Sequence, residues 1–118
     1  MKIDIQTIPH SDQRYDTVGD YWIDGDIWHF RVSQMSDSRY EHLILIHEIV
    51  EWAWVQWKGI PIAEIDVFDM AYKEDGEPGD SKDAPYYWGH QIATAVERTV
   101  AFALGVNWQD YEKEVDAL

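Results

Sequence analysis

The chain contains no cysteine. Disulfides, thiolate metal ligands and cysteine nucleophiles are therefore excluded. Basic residues are scarce too: 9 Lys and Arg face 23 Asp and Glu, a formal net charge of -14 at pH 7. A chain this acidic is a poor direct binder of nucleic acid or of an anionic membrane surface. The balance admits a cation, a basic partner or mimicry of DNA, beside simple solubility. No apolar run approaches the roughly 20 residues of a membrane span. The longest, Leu43 to Val55, is interrupted by charges. The first residues also lack a basic stretch followed by an apolar one, so the expected compartment is the cytoplasm. There is no glycine-rich phosphate loop and no serine nucleophile elbow.

Aromatic residues, by contrast, are plentiful. Seven Trp and seven Tyr in 118 residues supply enough large side chains for one core. One domain over residues 1–118 is expected. Five of the tryptophans (Trp52, Trp54, Trp57, Trp88 and Trp108) are expected in that core.

The chain reads as strands first and helices after. Residues 2–8 alternate and stop at Pro9, which suggests a strand. Asp24-Gly25 between two aromatic runs is a hairpin signal, and Trp28, Phe30 and Val32 share one face of its second arm. Ser36-Asp37-Ser38 offers N-caps for a helix that runs to about Lys58, with Gly59 as its stop. A second helix is expected from Ile62 to about Lys73, after Pro61. Residues 74–85 read as a polar, mobile loop. A third helix fits Tyr86 to Leu104, with Gly105 behind it, and Trp108 to Val115 suits a short fourth. The expected class is α+β, with a small N-terminal antiparallel sheet and three main helices packed on it.

The first of these helices is nearly all apolar, and such a helix is expected to be buried. His47, Glu48 and Glu51 interrupt it. At about 100° per residue all three share one side. Buried ionisable groups need partners, so the pattern suggests a metal site or a hydrogen-bonded histidine–carboxylate network. His47-Glu48-Ile49-Val50-Glu51 differs by one residue from the His-Glu-x-x-His motif of zinc metalloproteases. By that logic His47 and Glu51, one turn apart, are two ligands. Glu48 is then the base that takes a proton from the activated water. Carboxylate can stand in for imidazole on zinc.

In the third helix His90 and Glu97 are seven apart and lie close to one face. His90 is the expected third ligand. Glu97 is either a further ligand or a support, or else a surface acid paired with a neighbouring base. Asp69 interrupts an apolar stripe that contains Ile62, Ile65 and Tyr72. It reads as a ligand, as an acceptor that orients a histidine ring, or as a surface acid near Lys73. Asp66 is expected in solvent. His42 lies about 140° round from His47 and reads as structural, His29 as exposed, and His10 as a loop residue without signal. Glu41 is a weak candidate for a supporting acid.

With these residues in place the chain resembles a minimal zincin. In that family a small sheet precedes an active-site helix with the metal motif, and a later residue completes the site. Trp28 to Val32, His47 to Glu51 and His90 carry the resemblance. It implies a metal-dependent hydrolase of peptide bonds, with zinc on His47, Glu51 and His90 and with manganese or iron as other fits for so carboxylate-rich a site. Two departures stand out: the fifth motif position is Glu rather than His, and the chain is short for a substrate cleft. The chain is also similar to small uncharacterised phage and prophage proteins, through His47 to Glu51 followed by Ala84-Pro85-Tyr86 and His90. Two other readings stay open. One is a magnesium-dependent nucleotide pyrophosphohydrolase, from Glu48-x-x-Glu51 and Asp66-x-x-Asp69. The other is a non-enzymatic acidic inhibitor of phage type, or a structural protein.

Overall fold

The computed structural model describes all 118 residues. Three strands come first: β1 (Lys2–Ile8), β2 (Gly19–Asp24) and β3 (Ile27–Ser33). Four helices follow: α1 (Ser38–Lys58), α2 (Ile62–Ala71), α3 (Tyr87–Ala103) and α4 (Trp108–Ala117). This is the expected α+β order, with one correction to the sheet. The strand order is β1-β3-β2, and β1 lies parallel to β3. Only the hairpin pair, β2 with β3, is antiparallel. Alternation along β1 sets which face is apolar but carries no information on the partner's direction.

The hairpin turns on Gly25 and Asp26, with Asp24 opposite Ile27. Gly25 has φ of 62°, and a two-residue loop with glycine first is the geometry that follows the strand twist. On the helix side of the sheet sit Tyr21, Phe30 and Val32, all buried. On the other side Trp22 stacks on His29 at 5.2 Å, and Arg31 donates to Asp4 at 2.7 Å. His29 is thereby partly covered rather than exposed.

Helix α1 begins and ends where its local chemistry predicts. The Asp37 carboxylate accepts from the Arg39 amide at 2.8 Å, and Gly59 closes the helix at φ 71°. Glu41 accepts from the Met35 amide instead of supporting the histidines. Helix α2 stops at Ala71, two residues early, because Tyr72 turns extended. Within residues 74–85, Pro78–Asp80 forms a short 3-10 turn, and Gly79 is buried. This part of the polar loop is therefore packed against the body of the protein.

Helix α1 lies between the sheet and α3. Leu43 and Ile44, near its start, join Val32, Ala101, Val106 and Tyr111 in one apolar cluster. Val55, near its end, joins Ile65, Ala84 and Tyr86 in another. Helix α1 is not buried all round: Ile49 is partly exposed and Trp57 is 76% exposed. Trp88 is 66% exposed, which also corrects the expected core. Both tryptophans sit in a terminal turn of their helix, and the Lys58 ammonium lies 4.7 Å from the Trp57 ring. No helix is long and apolar enough to cross a membrane.

Leu43 has no exposed surface. Leu43→Ala is expected to lower the free energy of unfolding by about 3.5 kcal/mol, the middle of the range for a buried leucine. Urea denaturation with an unchanged m-value would read this as lost packing.

Candidate metal centre

Between the two apolar clusters α1 and α3 face each other with polar side chains. His47 and Glu51 come from α1, one turn apart. His90 and Glu97 come from α3, two turns apart. All four are buried, at 7%, 5%, 4% and 7% exposure. Small residues permit the approach of the two helices. Ala93 is fully buried between them, and a Cβ on Gly89 would stand 2.6 Å from the Trp54 ring.

Three donor atoms converge. His47 Nε2 lies 3.1 Å from His90 Nδ1 and 3.3 Å from Glu51 Oε2, and the remaining side, His90 Nδ1 to Glu51 Oε2, is 3.2 Å. These separations are hydrogen-bond lengths and also lie within reach of a single ion. A tetrahedral ion with bonds of about 2.0–2.1 Å holds its donors about 3.3 Å apart. His47, Glu51 and His90 thus form a group that could hold a metal ion.

The outer edge of each ring is already held. His47 Nδ1 donates to Glu97 Oε1 at 2.7 Å. Glu97 in turn accepts from the Tyr111 hydroxyl. His90 Nε2 faces Asp80 Oδ1 at 3.2 Å and Glu77 Oε2 at 3.4 Å. Glu51 Oε1 accepts from the Tyr21 hydroxyl at 2.9 Å, which leaves Oε2 for the triangle. A histidine whose far nitrogen donates to a carboxylate presents a lone pair at its near nitrogen, the arrangement that orients metal ligands. Burial holds the Tyr21 and Tyr111 hydroxyls well above their usual pKa, reinforced by Glu51 and Glu97, so both stay donors.

Without a metal the same groups share protons. Burial works against imidazolium at His47, but Glu51 and Glu97 outweigh it and raise its pKa well above the usual value. His90 is raised as well, against its own burial, chiefly by Glu51. Burial would lift the Glu51 carboxyl, yet the two histidines bring it below its ordinary range. A cation at the centre, proton or metal, is what this cluster of charges calls for.

Glu48 lines the same cavity, beside the triangle. No hydrogen bond of the network engages it. Burial, followed by repulsion from Glu51, lifts its pKa well above the usual carboxylate range. Gly19 at the start of β2 makes room for it: a Cβ there would lie 2.6 Å from Glu48 Oε1.

The remaining sequence candidates fall elsewhere. Asp69 accepts from the Tyr15 hydroxyl at 3.0 Å and from the Tyr86 hydroxyl. It orients tyrosines, and it belongs to no group of converging metal donors. Asp66 is not free in solvent but faces Arg14 at 3.2 Å, and Arg14 also binds Asp20 at 2.7 Å. His42 is exposed on α1. His10 bridges Ser33 and Asp16 and is not among the triangle's donors. Sequence reasoning did not find Tyr21, Tyr111, Glu77 and Asp80. The two tyrosines lie on other elements, at separations of 30 and 14 residues from the carboxylates they hold. Glu77 and Asp80 belong to a loop that read only as polar.

Two predictions arise here. A Cβ on Gly79 would lie 2.5 Å from the His90 ring. Gly79→Ala is therefore expected to tilt the ring and weaken zinc binding by about 10–100-fold, the usual effect of disturbing a ligand's support. Titration against a zinc indicator checks this. The second concerns Asp69, whose carboxyl burial raises to about 6, against the two tyrosine hydrogen bonds. The folded state then binds this proton more tightly than the unfolded chain. Its favourable contribution is full below about pH 4 and is lost as pH rises toward 6. Asp69→Asn keeps an acceptor without the charge. It is expected to match wild type near pH 4 and to exceed it by about 1–2 kcal/mol at pH 7, a value discounted for partial exposure. Urea midpoints at the two pH values check this.

Compared with protein-family models, with curated proteins and with solved structures, the chain matches none.

Proposed function

We propose that the chain is a zinc-dependent hydrolase acting on a peptide bond. The observation that carries this reading is the triangle of His47 Nε2, Glu51 Oε2 and His90 Nδ1, held from outside by carboxylates and flanked by the unengaged Glu48. Two histidines and one glutamate are a ligand set of catalytic zinc, with the fourth position left for water or substrate. The edges of 3.1–3.3 Å suit a tetrahedral ion. The bound metal supplies Lewis acidity, which makes water nucleophilic near neutral pH and polarises a carbonyl.

The chain's own residues supply the rest. Glu48 accepts the proton of the attacking water as oxygen bonds to the carbonyl carbon. It then delivers that proton to the amide nitrogen as the carbon–nitrogen bond breaks. Burial and the neighbouring Glu51 make its carboxylate hold a proton more readily than a solvated one, the direction a proton-transferring group needs. Glu97 and Asp80 keep the ring nitrogens of His47 and His90 aimed inward.

The pyrophosphohydrolase reading draws less support. Its second pair of acids is engaged, Asp66 by Arg14 and Asp69 by two tyrosines. The reading as an acidic inhibitor gives no role to Glu51 and Glu97, which are buried against the histidines.

The test is elemental analysis of untagged protein purified without chelator, followed by peptide-library digestion read by mass spectrometry. About one zinc per chain, with cleavage stopped by chelator and restored by zinc, supports the reading. Stoichiometric zinc without cleavage would restrict the protein to metal binding. Nucleotide turnover with magnesium would replace the proposal.

A further inference from the structure

The metal donors open onto a cavity of about 710 Å³ formed by the loop after β1, the start of β2, α1, α2, the 74–85 loop, α3 and α4. Twelve Asp and Glu side chains line it, and Lys73 is its one Lys or Arg. Several of these acids are already engaged: Asp20 and Asp66 by Arg14, Glu51 and Glu97 by the histidines. A divalent ion, Lys73 and Arg14 would bring four positive charges to these twelve carboxyl groups. The walls repel phosphates and carboxylates and draw cations in.

One carboxylate in this cavity is built to receive a cation. Asp69 faces no Lys, Arg or His; its only partners are the Tyr15 and Tyr86 hydroxyls. Both tyrosines and Ile65 line the cavity around it. A carboxylate fixed among aromatic rings offers an ammonium or guanidinium an ion pair, ring faces and an apolar wall for its methylene stem. Asp69 and the metal donors line the same cavity.

We propose that the substrate is a cationic peptide, and that Asp69 receives its lysine or arginine side chain while the scissile bond meets the metal group. The proposal rests on the hydrolase reading only for turnover; the charge preference of the cavity is tested by binding alone.

The experiment uses the full chain carrying Glu48→Gln, with zinc added. Three fluorescent blocked hexapeptides, alike except for two lysines, two glutamines or two glutamates, are titrated and followed by anisotropy. The lysine peptide is expected to bind at least tenfold tighter than the glutamine peptide, and the glutamate peptide more weakly than either. Adding Asp69→Asn is expected to reduce lysine-peptide affinity about tenfold, as removal of one partly desolvated charge partner does. Glu64→Gln is the control. It removes the same charge from an exposed site on the same helix, outside the cavity. Equal affinity for the three peptides, or equal losses in Asp69→Asn and Glu64→Gln, would overturn the proposal. If the wild-type chain takes up no zinc and cleaves nothing, the hydrolase reading fails. The anisotropy comparison still decides what the cavity selects.

Discussion

Replacing His47 with alanine is expected to lower zinc affinity at least a thousandfold, a loss of about 4 kcal/mol of binding free energy. His47 ties together residues of both helices. Its Nε2 touches both other donors, and its Nδ1 is tied to Glu97 at 2.7 Å. Removing the ring deletes one ligand and frees Glu97 and Glu51 from a shared partner. Two carboxylates then face one buried space with one histidine between them. Stability without metal is expected to fall as well, by about 2–4 kcal/mol, because breaking a buried pair leaves uncompensated charge. Thermal melts in chelator separate that loss from the loss of a ligand. His90→Ala supplies a second variant with the same expected zinc defect.

The second large effect concerns chemistry without binding. Glu48→Gln is expected to reduce kcat for peptide cleavage by about 10²–10⁴-fold, the range for removing a positioned general base. Zinc content should stay at the wild-type value, because no hydrogen bond of the donor network engages Glu48. Stability should hold or rise, since glutamine avoids the desolvation and the repulsion from Glu51 that a carboxylate meets there. Parallel measurement of zinc content and single-turnover cleavage checks the separation. Loss of zinc in this variant would instead make Glu48 a ligand.

The contrast between these two residues follows from a pattern visible in the sequence. His47, Glu48 and Glu51 could be placed on one side of α1 from spacing alone, because a helix converts intervals of one and four into fixed angles. The same rule brought His90 and Glu97 to one face of α3. Caps were equally readable: Asp37 and Gly59 bound α1 through bonds within a few residues of themselves. What failed to show depends on contacts between distant elements. The parallel partner of β1 is chosen by how the chain crosses the sheet, and the isoleucines of β1 fit either direction. Tyr21 and Tyr111 acquire their roles only when β2 and α4 fold against the helices. Glu77 and Asp80 look like solvated acids until the buried Gly79 brings their loop onto His90. Asp69 interrupts an apolar stripe as expected, but only the fold reveals tyrosines rather than a histidine beside it. Residue type alone suggests burial for Trp57 and Trp88, but both sit in terminal turns of their helices and stay largely exposed.

Whether His47, Glu51 and His90 make one metal site is decided by calorimetric titration of zinc into chelator-treated, dialysed protein. A single site of submicromolar affinity is expected, with one zinc per chain, absent in His90→Ala. The melting temperature should rise with zinc concentration, as for any ligand that binds only the folded state. No binding heat and no thermal shift with zinc, or undiminished binding in both His47→Ala and His90→Ala, would contradict such a site.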